Sequence, residues 1–287
     1  MSPVRGVEMK GCPVSKNGAM PDAIGARYPF PQVHRDGELM AQVAEELMRQ
    51  EGDVYCSVPF CSTVEAEAFG AQVRMGDHRT TPLIPKCPWD DPDMIPKEIP
   101  SPDSGRMGEV MKAVSILRGK GFPVILKVSG PFSTLMGLLD PKALFRTARK
   151  DPDRIETVLE RISAYSLACA KEAARRDVSI ISLAEPSATP DLLGPKRFEK
   201  LISPALTRLL REMDRLDGPW SGFLCGRLSS SMEEIGAISG HTEEMGSGRY
   251  GDHLETLRAR GIRWFGGGCV AQTPADACRI RTIDVTD

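Results

Sequence analysis

Apolar residues recur along this chain with two alternating periods, and the alternation predicts the fold. From Asp36 onward, Leu39, Met40, Val43, Leu47 and Met48 fall at helical spacing and stop near Gly52. Residues 54–58 (VYCSV) then read as a short strand. Ser62 and Thr63, followed by Glu65-Ala66-Glu67-Ala68-Phe69-Gly70, give a helix with hydroxyl caps, early acidic residues and a glycine stop. The spacing predicts further helices over about 106–118, 152–176 and 195–216, and one ending at Arg260. Strands are expected at 123–128, 178–183, 220–224 and 262–265. Mostly apolar strands separated by helices indicate a parallel sheet covered on both faces, which fits a (β/α) barrel first and a doubly wound sheet second.

Two segments break the pattern. The first thirty-odd residues are rich in Gly and Pro and predict an irregular arm or lid over about 1–35. Residues 81–103 hold Pro82, Pro85, Pro88, Pro92, Pro96, Pro100 and Pro102, so they form a long surface connection. No linker divides the helix–strand runs, so residues 1–287 are expected to form one domain.

Composition adds exclusions. The 287 residues are 41% hydrophobic and 26% charged, as in ordinary globular proteins. Thirty-seven basic against 39 acidic residues leave no broad basic surface for nucleic acid. No run approaches the roughly 18 to 20 apolar residues that span a bilayer, and the first residues lack a secretory pattern, so a cytoplasmic location with no membrane partner is expected. The eight cysteines are then read mostly as buried thiols.

Chemistry concentrates after predicted strands, at Glu185-Pro186-Ser187, Cys225-Gly226 and Gly266-Gly267-Gly268-Cys269. Strand C-termini share one face in parallel α/β folds. A carboxylate and two thiols could therefore meet, although a strand-end cysteine often serves only as a small hydrophobe. Cys225 and Cys269 are 44 positions apart, which excludes a compact zinc ribbon but suits ligands on separate strands. Other candidates have plain alternatives. Asp77-His78-Arg79 reads as a solvated turn, Cys56 and Cys61 as core or mouth lining, and Glu243, Glu244, Gly246, Ser247 and Gly248 as a lid or an ordinary loop.

Several segments carry a family resemblance. Val58-Pro59-Phe60-Cys61 through Gly70, Gly130-Pro131-Phe132-Ser133-Thr134-Leu135, Glu185 through Leu193 and Gly268-Cys269 with Thr273-Pro274 resemble the uroporphyrinogen decarboxylase-like superfamily. Within it they are most similar to the methylcobamide-dependent methyltransferases. The resemblance implies a (β/α)8 TIM barrel, with one unit shortened or absent because the segment between the cysteines is short. It also implies methyl transfer between a methyl-corrinoid protein and a small donor or acceptor, such as a thiol, folate or methoxyl compound. Cofactor contacts are expected at His34, Phe60, Gly130 and Ser187, and the catalytic and zinc-ligating positions at Glu185, Cys225 and Cys269.

One departure matters. The family's zinc-binding His-x-Cys has Phe223 in its histidine position, and phenylalanine ligates no metal. Three readings follow. Zinc is held by Cys225, Cys269 and Glu185, with His241 or water as the fourth ligand; or the barrel transfers methyl groups without a metal; or it has become a ligand-binding barrel. A decarboxylase of the same superfamily is the remaining enzyme reading, disfavoured because the N-terminus offers only Arg5, Arg27 and Arg35 in place of an arginine-rich run.

Overall fold

A computed structural model describes residues 20–270 and 277–286, which places Cys12 and the Thr273-Pro274 pair outside it. The chain runs through α1 (Asp22–Arg27), α2 (Gly37–Glu51), β1 (Cys56–Val58), α3 (Val64–Ala68), α4 (Gly105–Gly119), β2 (Val124–Ser129), α5 (Pro131–Leu138), α6 (Pro141–Lys150), α7 (Pro152–Arg175) and β3 (Ile180–Ala184). It continues through α8 (Pro190–Leu193), α9 (Pro195–Arg197), a π-helical turn (Phe198–Ile202), α10 (Ser203–Asp214), β4 (Ser221–Cys225), α11 (Gly226–Glu234), β5 (Ile238–Glu244), α12 (Tyr250–Ala259), β6 (Trp264–Gly268) and β7 (Arg279–Val285). The proline-rich stretch after Gly70 is a connection, with one short 3-10 turn at Pro92–Met94.

The sheet order is β1-β2-β3-β4-β6-β7-β5. The first five are parallel in that order, whereas β7 runs antiparallel to both β6 and β5. The architecture is a partial TIM barrel. Among the described residues β1 and β5 are free edges, so the barrel is an open seven-stranded mixed sheet, in line with the shortened or absent unit expected from the resemblance. The physical reason lies in β4 and β6, which pair directly and displace β5 outward onto β7. Glu243 and Glu244, expected in a lid loop, belong to β5, opposite Ile280 and Arg279. Polar residues on both faces of this edge strand hid its period, and its charges discourage pairing with another sheet edge.

Alternate strand residues face two different cores. Val124, Leu126, Val128, Ile181, Leu183 and Leu224 pack outward under α4, α7 and α10. Ile125, Ile180, Phe223 and Phe265 point to the inner face, where Tyr250, Leu254 and Leu257 of α12 cover them. In a closed barrel the inner face would meet the opposite wall; here a helix fills that place. Arg249 Nη1 donates to the Gly52 carbonyl at 3.3 Å, tying the start of α12 to the loop before β1.

From residue 20 onward the expected irregular arm is ordered. Ile24 of α1 and Val33 pack with Val43 of α2, joined by Tyr28 and Phe30, so this segment is a small buried layer on α2. The Gly/Pro-rich composition concealed it because α1 is only six residues long. No helix among the described residues is long and apolar enough to cross a membrane.

Candidate active site at the strand C-termini

The parallel strands end on one side of the sheet, and three structural joints assemble there. At the first, Pro131 starts α5 with its fixed backbone, leaving the helix's first amides without intrahelical partners. Glu185, just after β3, supplies the acceptors. Its Oε2 accepts from Phe132 N at 2.9 Å and its Oε1 from Ser133 N at 2.6 Å. The Gly130 N–H donates to the Ala184 carbonyl at 2.8 Å, and Ser187 N donates to Ser133 Oγ at 3.4 Å. Gly130 is needed for this approach, because an added Cβ would lie 2.1 Å from Glu185 Oε2. Glu185 is 0% exposed, and burial raises its carboxyl to about 7, against the pull of the two amides.

At the second joint Glu185 N donates to Cys225 Sγ at 3.3 Å. Cys225 pairs with Gly268, the residue before Cys269. Between Phe223 and Cys225 the register shifts by one residue on β6, and Gly267 there has φ +77°. The run Gly266-Gly267-Gly268 is therefore a β-bulge that re-aims the chain immediately ahead of Cys269. Both thiols are half-buried.

The third joint lies beyond β1. Glu65, fully enclosed, accepts from Ser129 N at 2.9 Å through Oε1, and burial raises its carboxyl. Arg106 donates to Thr63 Oγ1 at 2.7 Å and to Cys61 Sγ at 3.2 Å, and it pairs with Glu67. Beside it His34 packs edge-on against Phe30 and Phe60, with ring centroids 5.4 and 6.4 Å away. His34 is 3% exposed, and burial, aided by Arg106, lowers it to about 4, so the imidazole is neutral at pH 7. Its Nε2 is buried without a hydrogen-bond partner.

The structure thus brings Gly130, Glu185, Ser187 and Cys225 into one bonded unit, with Cys269 directly after the neighbouring strand β6, while His34 and Phe60 form a separate aromatic group. The zinc set does not assemble. Both Glu185 oxygens are engaged by amides, Phe223 is locked in the inner core, and no cluster of three His, Cys, Asp or Glu side chains suited to a metal exists among the described residues. His241, the expected fourth ligand, lies on exposed β5 with Nε2 3.5 Å from Asp284. Two thiols alone are fewer protein ligands than catalytic zinc sites use. Protein purified without added metal is accordingly expected to hold well below one zinc per chain by elemental analysis.

Sequence reasoning passed over Glu65, Arg106 and Lys127. Lys127 gave a usable signal, since a charged residue interrupts the apolar strand VILKVS.

Comparison with known proteins covers most of the chain. The chain is 31% identical over 217 residues to methylcobamide:CoM methyltransferase MtbA of Methanosarcina mazei, covering 74% of this chain and 62% of that protein. It is 26% identical over 232 residues to methylcobamide:CoM methyltransferase MtaA of Methanosarcina barkeri, covering 78% and 66%. The chain therefore spans less than two thirds of the length of these relatives. A solved methyltransferase structure from Methanosarcina mazei superposes with a TM-score of 0.65 at 23% identity, over 89% of this chain and 77% of that one, and so shares the fold. A family model described as uroporphyrinogen decarboxylase (URO-D) matches residues 18–243, a span that holds the Glu185 joint, Cys225 and the His34 group. With that match over most of its length and the partial barrel behind it, the chain belongs to the uroporphyrinogen decarboxylase family.

Proposed function

We propose that this protein is a corrinoid-dependent methyltransferase, moving a methyl group between a methyl-corrinoid partner protein and a small donor or acceptor. The observation that carries this reading is the likeness to two methylcobamide:CoM methyltransferases over three quarters of the chain. A corrinoid supplies a cobalt-bound carbon that a nucleophile can remove. A ligand-linked role for the separate aromatic group is supported by the neutral His34, whose buried Nε2 has no hydrogen-bond partner between two aromatic rings. In this reading Cys225 and Cys269 contact the small substrate. Glu185 is a positioning residue, since its oxygens fix the ends of β2 and β3. Serving a partner of this kind does not require a closed barrel wall.

The test mixes the protein with a methylated corrinoid protein and thiol, folate or methoxyl compounds while cobalt methylation is followed by absorbance. Conversion with at least one class is expected, with Cys225→Ala and Cys269→Ala slower by about tenfold or more, a loss near 1.4 kcal/mol of transition-state stabilisation. No spectral change with any class would favour a ligand-binding barrel.

A further inference from the structure

The helix α6 carries four charged side chains, Lys142, Arg146, Arg149 and Lys150, and all four are basic and exposed. Their spacing keeps them within about 100° of one another around the helix. Ala143, Leu144 and Thr147 form the buried side, and the helix packs on α7. Among the described residues none of the four forms an ion pair or a side-chain hydrogen bond. Exposed cations on other helices are tied to carboxylates, as Arg175 is to Glu172, Arg215 to Glu212 and Arg249 to Asp252. Asp140 accepts the Lys142 and Ala143 amides as the helix cap, and Asp151 and Asp153 beyond its end pair with none of the four.

Helix stability does not account for this stripe. Arg149 and Lys150 suit the negative end of the helix dipole, but Lys142 sits in the first turn, at the positive end. Lys142 with Arg146, and Arg146 with Lys150, are like charges one turn apart, which repel. An acidic surface laid against the stripe would remove that repulsion. Topology puts the stripe on the side where the strands end. β2 and β3 are parallel, so α7 runs back along the sheet to the start of β3. Its 24 residues measure about 36 Å, against about 17 Å for the five of β3. The start of α7, with α6 on it, therefore stands beyond the strand C-termini. The eight residues of α5, about 12 Å, join α6 to the amides that Glu185 holds.

We propose that the α6 stripe docks an acidic face of the corrinoid-bearing partner protein and holds that partner over the mouth. The partner's identity rests on the methyltransferase reading, whereas the surface rests on α6 alone. A membrane is the poorer match, because a helix lying in a lipid interface inserts its apolar side, and that side of α6 is buried in the fold. Nucleic acid fits less well too, since four cations on a chain of net charge −2 offer little counterion release.

The experiment compares the full-length protein with the combined variant Lys142→Gln, Arg146→Gln, Arg149→Gln and Lys150→Gln, which keeps helix propensity and removes charge. Association with a methylated corrinoid protein is followed by stopped-flow fluorescence at about 50 and about 500 mM salt. Methyl transfer is measured from that protein and from free methylcobalamin, a donor that needs no docking. The wild type should associate about tenfold or more faster at the lower salt, and the variant should lose most of that difference. In the variant the KM for the corrinoid protein should rise about tenfold, with transfer from free methylcobalamin unchanged. Thermal unfolding checks that the variant is folded, and the salt dependence of the wild type stands independently of it. Equal association by the variant, or association indifferent to salt, would overturn the proposal. So would loss in the variant of binding to phosphatidylserine vesicles or duplex DNA with corrinoid-protein binding untouched, which would assign the stripe to lipid or nucleic acid. Charge-dependent docking without transfer from either donor would sink the methyltransferase reading and leave the surface standing; transfer from free methylcobalamin, with wild type and variant binding the corrinoid protein alike, would do the reverse.

Discussion

Glu185→Ala should destabilise the protein by about 3 kcal/mol at pH 5 and by far less at pH 8. At pH 5 the variant strands the Phe132 and Ser133 amides inside the protein, and each unpaired buried donor costs about 1 to 3 kcal/mol. The pH dependence comes from the carboxyl itself, whose value rises on folding from the ordinary 4.5 to about 7 because it is buried. For an acid raised by folding, the stabilising contribution is complete below 4.5 and is lost as pH rises through 7, since the unfolded chain ionises first. That loss is roughly 3 kcal/mol for this shift. Alanine has no proton to lose, so the gap between wild type and variant closes as the solution becomes alkaline. Urea unfolding of both proteins at pH 5 and pH 8 measures it, and a gap of equal size at both would show that the carboxylate is not carried in a buried, proton-favouring state.

Phe223→His, which supplies the histidine that the family resemblance implies, should cost about 3 kcal/mol rather than repair a metal site. Phe223 is 0% exposed in a cluster with Tyr55, Ile125, Ile180, Phe265 and Leu254, side chains that are apolar apart from the Tyr55 hydroxyl. The substitution combines lost apolar volume with an unsatisfied polar atom, each worth on the order of 1 to 3 kcal/mol. Thermal unfolding should drop by roughly 6 to 10 °C. Phe223→Leu, which keeps the site apolar, should cost less than about 1.5 kcal/mol if the cluster can close around it. A histidine variant that melts with the wild type would contradict the packing described.

The five parallel strands were legible because buried parallel strands are nearly continuous apolar runs, and residues 123–128 and 178–183 carry that pattern openly. The antiparallel pair was not. Ile238–Glu244 exposes polar residues on both sides of an edge, and Arg279–Val285 gains its meaning only by pairing with β6 and β5 across the sheet. Glu185, Cys225 and Cys269 stood out as candidates because they sit at strand ends. The partner of Glu185 could not, since the amides it meets start a helix more than fifty positions earlier. Gly266 and Gly267, just ahead of Cys269, accommodate a bulge against Ile283 and Arg281. Local sequence does not reveal which side chain a glycine lets in.

The helix laid over the inner face also sets an order of events during synthesis. Ile125 and Ile180 leave the ribosome well before Leu254 and Leu257, the residues that shield them from water. At about 5 to 20 residues per second, a delay of some 75 residues after Ile180 and some 130 after Ile125 leaves that apolar surface bare for roughly 4 to 26 s. Nascent chains halted just short of Tyr250 should therefore be the form most readily captured by chaperones, and release should coincide with the emergence of α12.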